Sequence, residues 1–148
     1  RAPVKASNHR VLTVAAMTSM TAGTDQHRQQ YSEVLLARAA PLFEQTARAA
    51  GEAGVHAQEH VQGTPPELCL QVSRDADSRS SHYLIRLDSD GRVLHQLLLV
   101  PEGSCRRLSA GLDSINGMVL DTQLDDLFRE AFQLSLPELR ERHPEGFW

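Results

Sequence analysis

The chain has little of what several common functions require. Among its 148 residues, 15 Lys and Arg stand against 19 Asp and Glu, a formal net charge of -4. It therefore lacks the cationic surplus with which nucleic-acid binders neutralise phosphates. Aromatics make up only 5%, too few for the stacking platforms of a single-strand binder. Two cysteines, Cys69 and Cys105, are too few for a disulfide scaffold and wrongly spaced for a CxxC zinc site. The longest uncharged stretch near the N-terminus, Val11 to Thr24, is too short and too rich in threonine to span a membrane. No G-x-S-x-G elbow, P-loop or Rossmann glycine pattern appears. The expectation is a non-enzymatic domain with no cofactor, no nucleic-acid partner and no membrane insertion, soluble in the cytoplasm or periplasm.

What is present is an ordinary globular balance, 41% hydrophobic and 23% charged, enough for one domain over residues 1–148. The row begins at Arg1, as a processed or excised part of a longer chain would. Residues 1–23 read as a flexible arm or an edge strand near Val11 to Ala15. From Thr24 and Asp25, which can cap a helix, the positions Tyr31, Val34, Leu35, Ala39, Leu42, Thr46, Ala49 and Ala53 follow helical spacing. Pro41 should kink this helix or divide it. Gly51 and Gly54 invite a stop, and Thr64-Pro65-Pro66 ends any helix that continues.

Three strand patterns follow: "ELCLQVS" from Glu67, "HYLIRLD" from His82 and "RVLHQLLLV" from Arg92. The last is apolar on nearly both faces, as a central or doubly covered strand would be. Between the second and third, Asp88-Ser89-Asp90-Gly91 opens like a calcium loop but lacks the later ligands. With Gly91 at positive φ in a hairpin with a G1 bulge, Leu87 falls opposite Val93 and Ile85 opposite His95. His82 and His95 then face opposite ways. Residues 102–120 read as a loop with one helical turn. A second helix runs from about Thr122 to Leu134, capped by Asp121, with Leu124, Leu127, Phe128 and Ala131 as its stripe. Ser135-Leu136-Pro137-Glu138 is a capping-box pattern for a short last helix. The fold class expected is α+β: a three-stranded antiparallel sheet, with a fourth edge strand near the N-terminus if the arm pairs, packed against a long N-terminal helix and one or two C-terminal helices.

The sharpest motif is "GVHAQEHVQGT", in which His56, Glu59 and His60 spell H-x-x-E-H. On a helix, residues four apart share a face, so two imidazoles can hold one Zn²⁺ while the carboxylate polarises its water. With Gly63-Thr64 following, these dozen residues resemble the pitrilysin-type inverzincin peptidases. That resemblance implies His56 and His60 as zinc ligands, Glu59 as general base and Glu130 as the distal third ligand. Glycines beside the motif weaken such a helix by roughly 1 kcal/mol each relative to alanine. If the helix stops at Gly51 or Gly54, the motif leaves it. Zinc hydrolysis is accordingly the alternative to the main expectation.

Two further likenesses rest on element order. Size, acidity and a helix followed by three strands resemble the type III secretion chaperones. The hairpin "HYLIRLDSDGRVLHQLLLV" ahead of a helix is similar to the C-terminal domains of TonB and TolA. Both are bacterial, and both imply an adaptor or chaperone-like domain that binds a protein partner or a second copy of itself as a dimer. The candidate contact residues are Tyr31, Leu35 and Leu42 on the helix stripe, Leu68 and Leu70 on a sheet edge, and the terminal aromatics Phe147 and Trp148. Asp121, Asp125, Asp126 and Glu130 form either an acidic patch or a solvated helix face.

Overall fold

The computed structural model describes residues 24–75, 78–100 and 103–143. The arm 1–23 with its expected strand near Val11 to Ala15, and the terminal pair Phe147 and Trp148, lie outside them. Helix α1 occupies residues 24–52 and buries Tyr31, Leu35, Ala39, Phe43 and Ala50. Pro41 does not divide it. Instead the turn Leu35–Ala39 is π-helical, with the Ala40 N–H bonded five residues back to the Leu35 carbonyl, and regular helix resumes over Ala40–Glu52 with Pro41 in its first turn. The widened turn accommodates the ring at a position where its missing N–H does least harm.

The helix ends where glycine permits. Gly54 takes φ 85°, the Gly54 N–H bonds the Gly51 carbonyl at 3.1 Å and the Val55 N–H bonds the Ala50 carbonyl at 2.9 Å. This is a Schellman termination with Val55 buried as its apolar partner. The chain therefore leaves the helix before His56.

Five strands follow one another in space as in sequence: β1 (His56–Gln62), β2 (Glu67–Ser73), β3 (Ser81–Leu87), β4 (Val93–Leu99) and β5 (Ser104–Ala110), all antiparallel. The sheet thus has five strands, and the expectation of three is corrected. Both additions are edge strands. β1, "HAQEHVQ", and β5, "SCRRLSA", are largely exposed, so neither carries the apolar alternation by which the inner strands announce themselves. No helix interrupts the five strands, so the expected order of a helix, then strands, then C-terminal helices stands with two strands added. The β3–β4 hairpin has the expected register: Leu87 pairs Val93 and Ile85 pairs His95. Gly91 sits at φ 79° and the Asp88 side chain accepts from the Asp90 and Arg92 N–H groups.

Helix α2 spans Gly117–Phe132, five residues earlier than expected, because Asn116 rather than Asp121 caps it: the Asn116 Oδ1 accepts from the Val119 N–H at 3.0 Å. Helix α3, Pro137–Glu141, forms without the expected capping box, since its N-cap is Leu136 and makes no side-chain bond. α1 lies against β1 and β2, and α2 against β3 and β4. They cover one face of the sheet, where Leu68, Leu70, Val72, Tyr83, Ile85, Val93 and Leu97 are buried with Phe43, Leu120, Leu124 and Phe128. No described helix packs on the other face, so β4 is flanked on both sides but not doubly covered. Leu94 is nevertheless buried there, opposite Arg86 and Ser109, with Arg92 reaching across to Ser109; long side-chain stems shield it. No helix among the described residues is long and apolar enough to cross a membrane.

Candidate functional site

Strand geometry decides what H-x-x-E-H can do. Alternation along β1 points His56, Gln58, His60 and Gln62 to the open face, with Gln71 and Cys69, and points Ala57, Glu59 and Val61 to the helix side, with Val72, Leu70 and Leu68. Glu59 therefore faces away from both imidazoles, so the motif cannot assemble a base beside a dihistidine site. His60 shares a 3.0 Å hydrogen bond with the Gln71 side chain instead. Glu130, the expected third ligand, is ion-paired to Arg106 of β5. β5 lies at the opposite edge, four strand spacings or about 19 Å from β1. Among the described residues no group of three or more His, Cys, Asp or Glu is placed to hold a metal ion.

The stripe residues proposed from sequence are already committed. Tyr31, Leu35, Leu68 and Leu70 are fully buried within the domain and Leu42 is half-buried. The Tyr31 hydroxyl donates to the Pro66 carbonyl at 2.7 Å, tying α1 to the β1–β2 turn. Two of the expected acidic patch are likewise internal. Asp121, 1% exposed, accepts from Arg142 through both carboxylate oxygens at 2.9 Å and from His143 at 2.7 Å. Asp125 is buried and paired with Arg129 at 2.8 Å, and burial holds its carboxyl above the usual range against the pull of that guanidinium. Asp126 faces Arg129 and Arg106. The acidic face of α2 is thus neutralised by the chain's own arginines.

A buried polar chain that sequence reasoning passed over joins β3, β4 and the 3-10 turn Leu112–Ser114. Tyr83 Oη lies 2.6 Å from His95 Nδ1, His95 Nε2 lies 2.8 Å from Ser114 Oγ, and Ser114 Oγ donates to the Gly111 carbonyl at 2.7 Å. Tyrosine, histidine and serine in line invite comparison with a nucleophile and its base, but the protons run the other way. Burial lowers the His95 pKa to about 4, so the ring is neutral and carries one N–H. With the Ser114 proton given to Gly111, Ser114 can only accept, so Nε2 carries the hydrogen and Nδ1 accepts from Tyr83. His95 therefore cannot take a proton from Ser114, and the chain is a fastening between sheet and turn. The signal available in the sequence was a polar residue at an inward position of an apolar strand.

The open face holds a shallow concavity of about 410 Å³ lined by His60, Gln62, Glu67, Cys69, Gln71, His82 and Leu84. Burial lowers the His82 pKa, and burial followed by the Glu67 charge pushes the Cys69 thiol up to about 11. Such a thiol is a poor nucleophile at neutral pH. Cys69 and Cys105 are both free. They lie on β2 and β5, three strand spacings or about 14 Å apart, beyond the reach of a disulfide.

What stands out after these assignments is the β1 edge. At the opposite edge, Arg106 and Arg107 of β5 guard the strand, Arg106 turned to Asp126 and Glu130 and Arg107 to Gln96. Cationic side chains on an edge discourage strand addition. β1 has no lysine or arginine, and Val61 is 47% exposed. Glu59 on its helix side has one carboxylate oxygen sealed from solvent without a hydrogen-bond partner, and burial, then the nearby Glu44 of α1, raises its pKa. Comparison with protein-family models, with curated proteins and with solved structures finds no match to this chain.

Proposed function

We propose that the domain is a non-enzymatic protein-binding module that takes up an extended segment of a partner by strand addition at β1. The observation that carries this reading is the contrast between the two sheet edges, both largely exposed: one carries two arginines, the other has no cationic guard. Backbone N–H and C=O groups along such an edge supply affinity, and alternate side chains supply selectivity. The helix stripe is a weaker candidate surface, because Tyr31 and Leu35 are fully buried in the domain's own core. A zinc hydrolase has less support still, since Glu59 and the two histidines of β1 face opposite sides.

The test is amide hydrogen exchange on the whole chain, with and without an extended peptide selected from a display library. Protection confined to Ala57, Glu59 and Val61 and their neighbours supports strand addition. Protection on β5, on the open face or nowhere in the sheet removes it.

A further inference from the structure

Resting on that reading of the β1 edge, the structure points to the chemistry of the segment it takes. We propose that β1 pairs with an extended stretch carrying one cationic side chain, with an apolar residue two positions to either side.

Every second residue of an added strand points to the helix side and lies beside Ala57, Glu59 and Val61, because the side-chain period of a strand is two. Directly paired positions approach to about 5 Å between Cβ atoms. On this strip Val61 is 47% exposed and Ala57 is half-buried, so apolar partners cover surface now in contact with water. Between them stands Glu59.

Glu59 is the feature the domain leaves unmatched. No salt bridge among the described residues joins Glu59 or Glu44, and one oxygen of Glu59 is sealed without a donor. Glu44 is close enough to Glu59 for its charge to help raise the Glu59 pKa, after burial. A lysine or arginine opposite Glu59 would meet both charges and, once the carboxylate turns outward, give its unpartnered oxygen a donor; charge-assisted hydrogen bonds are about twice as strong as neutral ones. Three carboxylates of α2, by contrast, are paired with the chain's own arginines: Asp126 and Glu130 with Arg106, Asp121 with Arg142. A second copy of the chain is a poor occupant by the same reasoning, since pairing β1 with β1 adds carboxylates to a strip that already has two. An acidic or neutral segment leaves the sealed oxygen of Glu59 still without a donor.

The experiment uses the full chain and four synthetic probes. The first is the blocked heptapeptide Thr-Val-Thr-Lys-Thr-Val-Thr; the second has Glu at its centre; the other two are the same peptides N-methylated at every residue, so that neither edge can donate a backbone hydrogen bond. Affinity is read by fluorescence anisotropy at low and high salt, and the contact by exchange protection of β1. The expected result is that the lysine peptide binds at least about tenfold more tightly than the glutamate peptide, a difference of about one paired charge. The preference should shrink as salt rises. It should also fall below about twofold in the chain carrying Glu59→Gln and Glu44→Gln, whose urea unfolding verifies that it is folded. If both unmethylated peptides protect β1 equally, the cationic preference is wrong and strand addition survives. If N-methylation changes nothing, or no peptide protects β1, strand addition itself fails and takes the preference with it. A dimer by sedimentation with β1 protected in the absence of peptide would seat a second copy there and overturn the proposal.

Discussion

Strands β4 and β1 are each seven residues long and each carries histidine, yet the same residue meets opposite conditions on them. On β4, His95 is 1% exposed, bonded through both ring nitrogens and held neutral by burial. On β1, His60 is exposed and shares one bond with Gln71 across the ladder. β4 is flanked by two strands and roofed by α2, so its inward positions must be apolar or fully bonded. Among the described residues β1 has one neighbouring strand, and composition there is released from the core. Position within the sheet, more than residue type, sets what a side chain of this chain can do.

The largest effect that would sharpen the contrast is a core truncation. Leu97→Ala on β4 should destabilise by about 2–5 kcal/mol in urea unfolding, through lost burial and a residual cavity. Val61→Ala on β1 should stay within about 0.5 kcal/mol. Comparable losses at both positions would mean that β1 is integrated into the core.

The two strands should also respond to acid in opposite senses. The folded pKa of His95 lies below its ordinary value of 6.5, at about 4. The unfolded chain therefore binds the proton more readily, and the stability this neutral ring provides is full above pH 6.5 and lost as pH falls towards 4. The loss over that window should be about 3 kcal/mol, the His82 shift adding in the same direction. A His95→Gln variant should flatten the slope. Glu59 has a raised pKa, so its charged form weakens the fold at neutral pH and that penalty is relieved as pH falls. Glu59→Gln should leave stability at pH 7 unchanged or slightly higher, and a clear loss would show that the carboxylate has a partner.

Removing a provided-for carboxylate should do the reverse. Asp121→Ala takes away the group that binds Arg142 and His143, and should destabilise by about 2–3 kcal/mol, the range for hydrogen bonds to charged groups. Proteolysis within α3 should rise with it. The smallest effect separates the cysteines: Cys105, exposed at the β5 edge, should react with a disulfide reagent at pH 8 about tenfold or more faster than Cys69. Equal rates would place Cys69 in a more open setting than the concavity around it.

Elements that bury a stripe were legible in the sequence, and elements that do not were missed. Leu68, Leu70 and Val72, then Tyr83 and Ile85, alternate as half-buried strands must, and Asp88 to Gly91 carried enough turn chemistry to set the β3–β4 register. Tyr31, Leu35 and Ala39 marked α1. His56 to Gln62 carried no alternation, because an exposed edge requires none, and its H-x-x-E-H spacing suited a helix that Gly54 had already ended. Ser104 to Ala110 was lost for the same reason. At α2, Asp121 looked like a cap, but Asn116, three residues before Val119, makes the bond, and Asp121 is spent on residues more than twenty positions later. Long-range pairing of that kind leaves no periodic trace. The candidate site was half visible: Glu59 drew notice for a chemistry its strand forbids, and its isolation beside Glu44 emerges only from the packing of α1 on β1.

Because the five strands lie side by side in chain order, every ladder joins neighbours in sequence and each is closed by a short connection. Chains built from such near contacts surrender little loop entropy at each step and tend to fold quickly for a sheet protein. Distant parts meet in the docking of α1 and α2 onto the sheet and of α1 against α2 and α3. β1 is the terminal rung of this ladder, held by one partner strand, and it should be the part of the sheet whose amides open first in the native state.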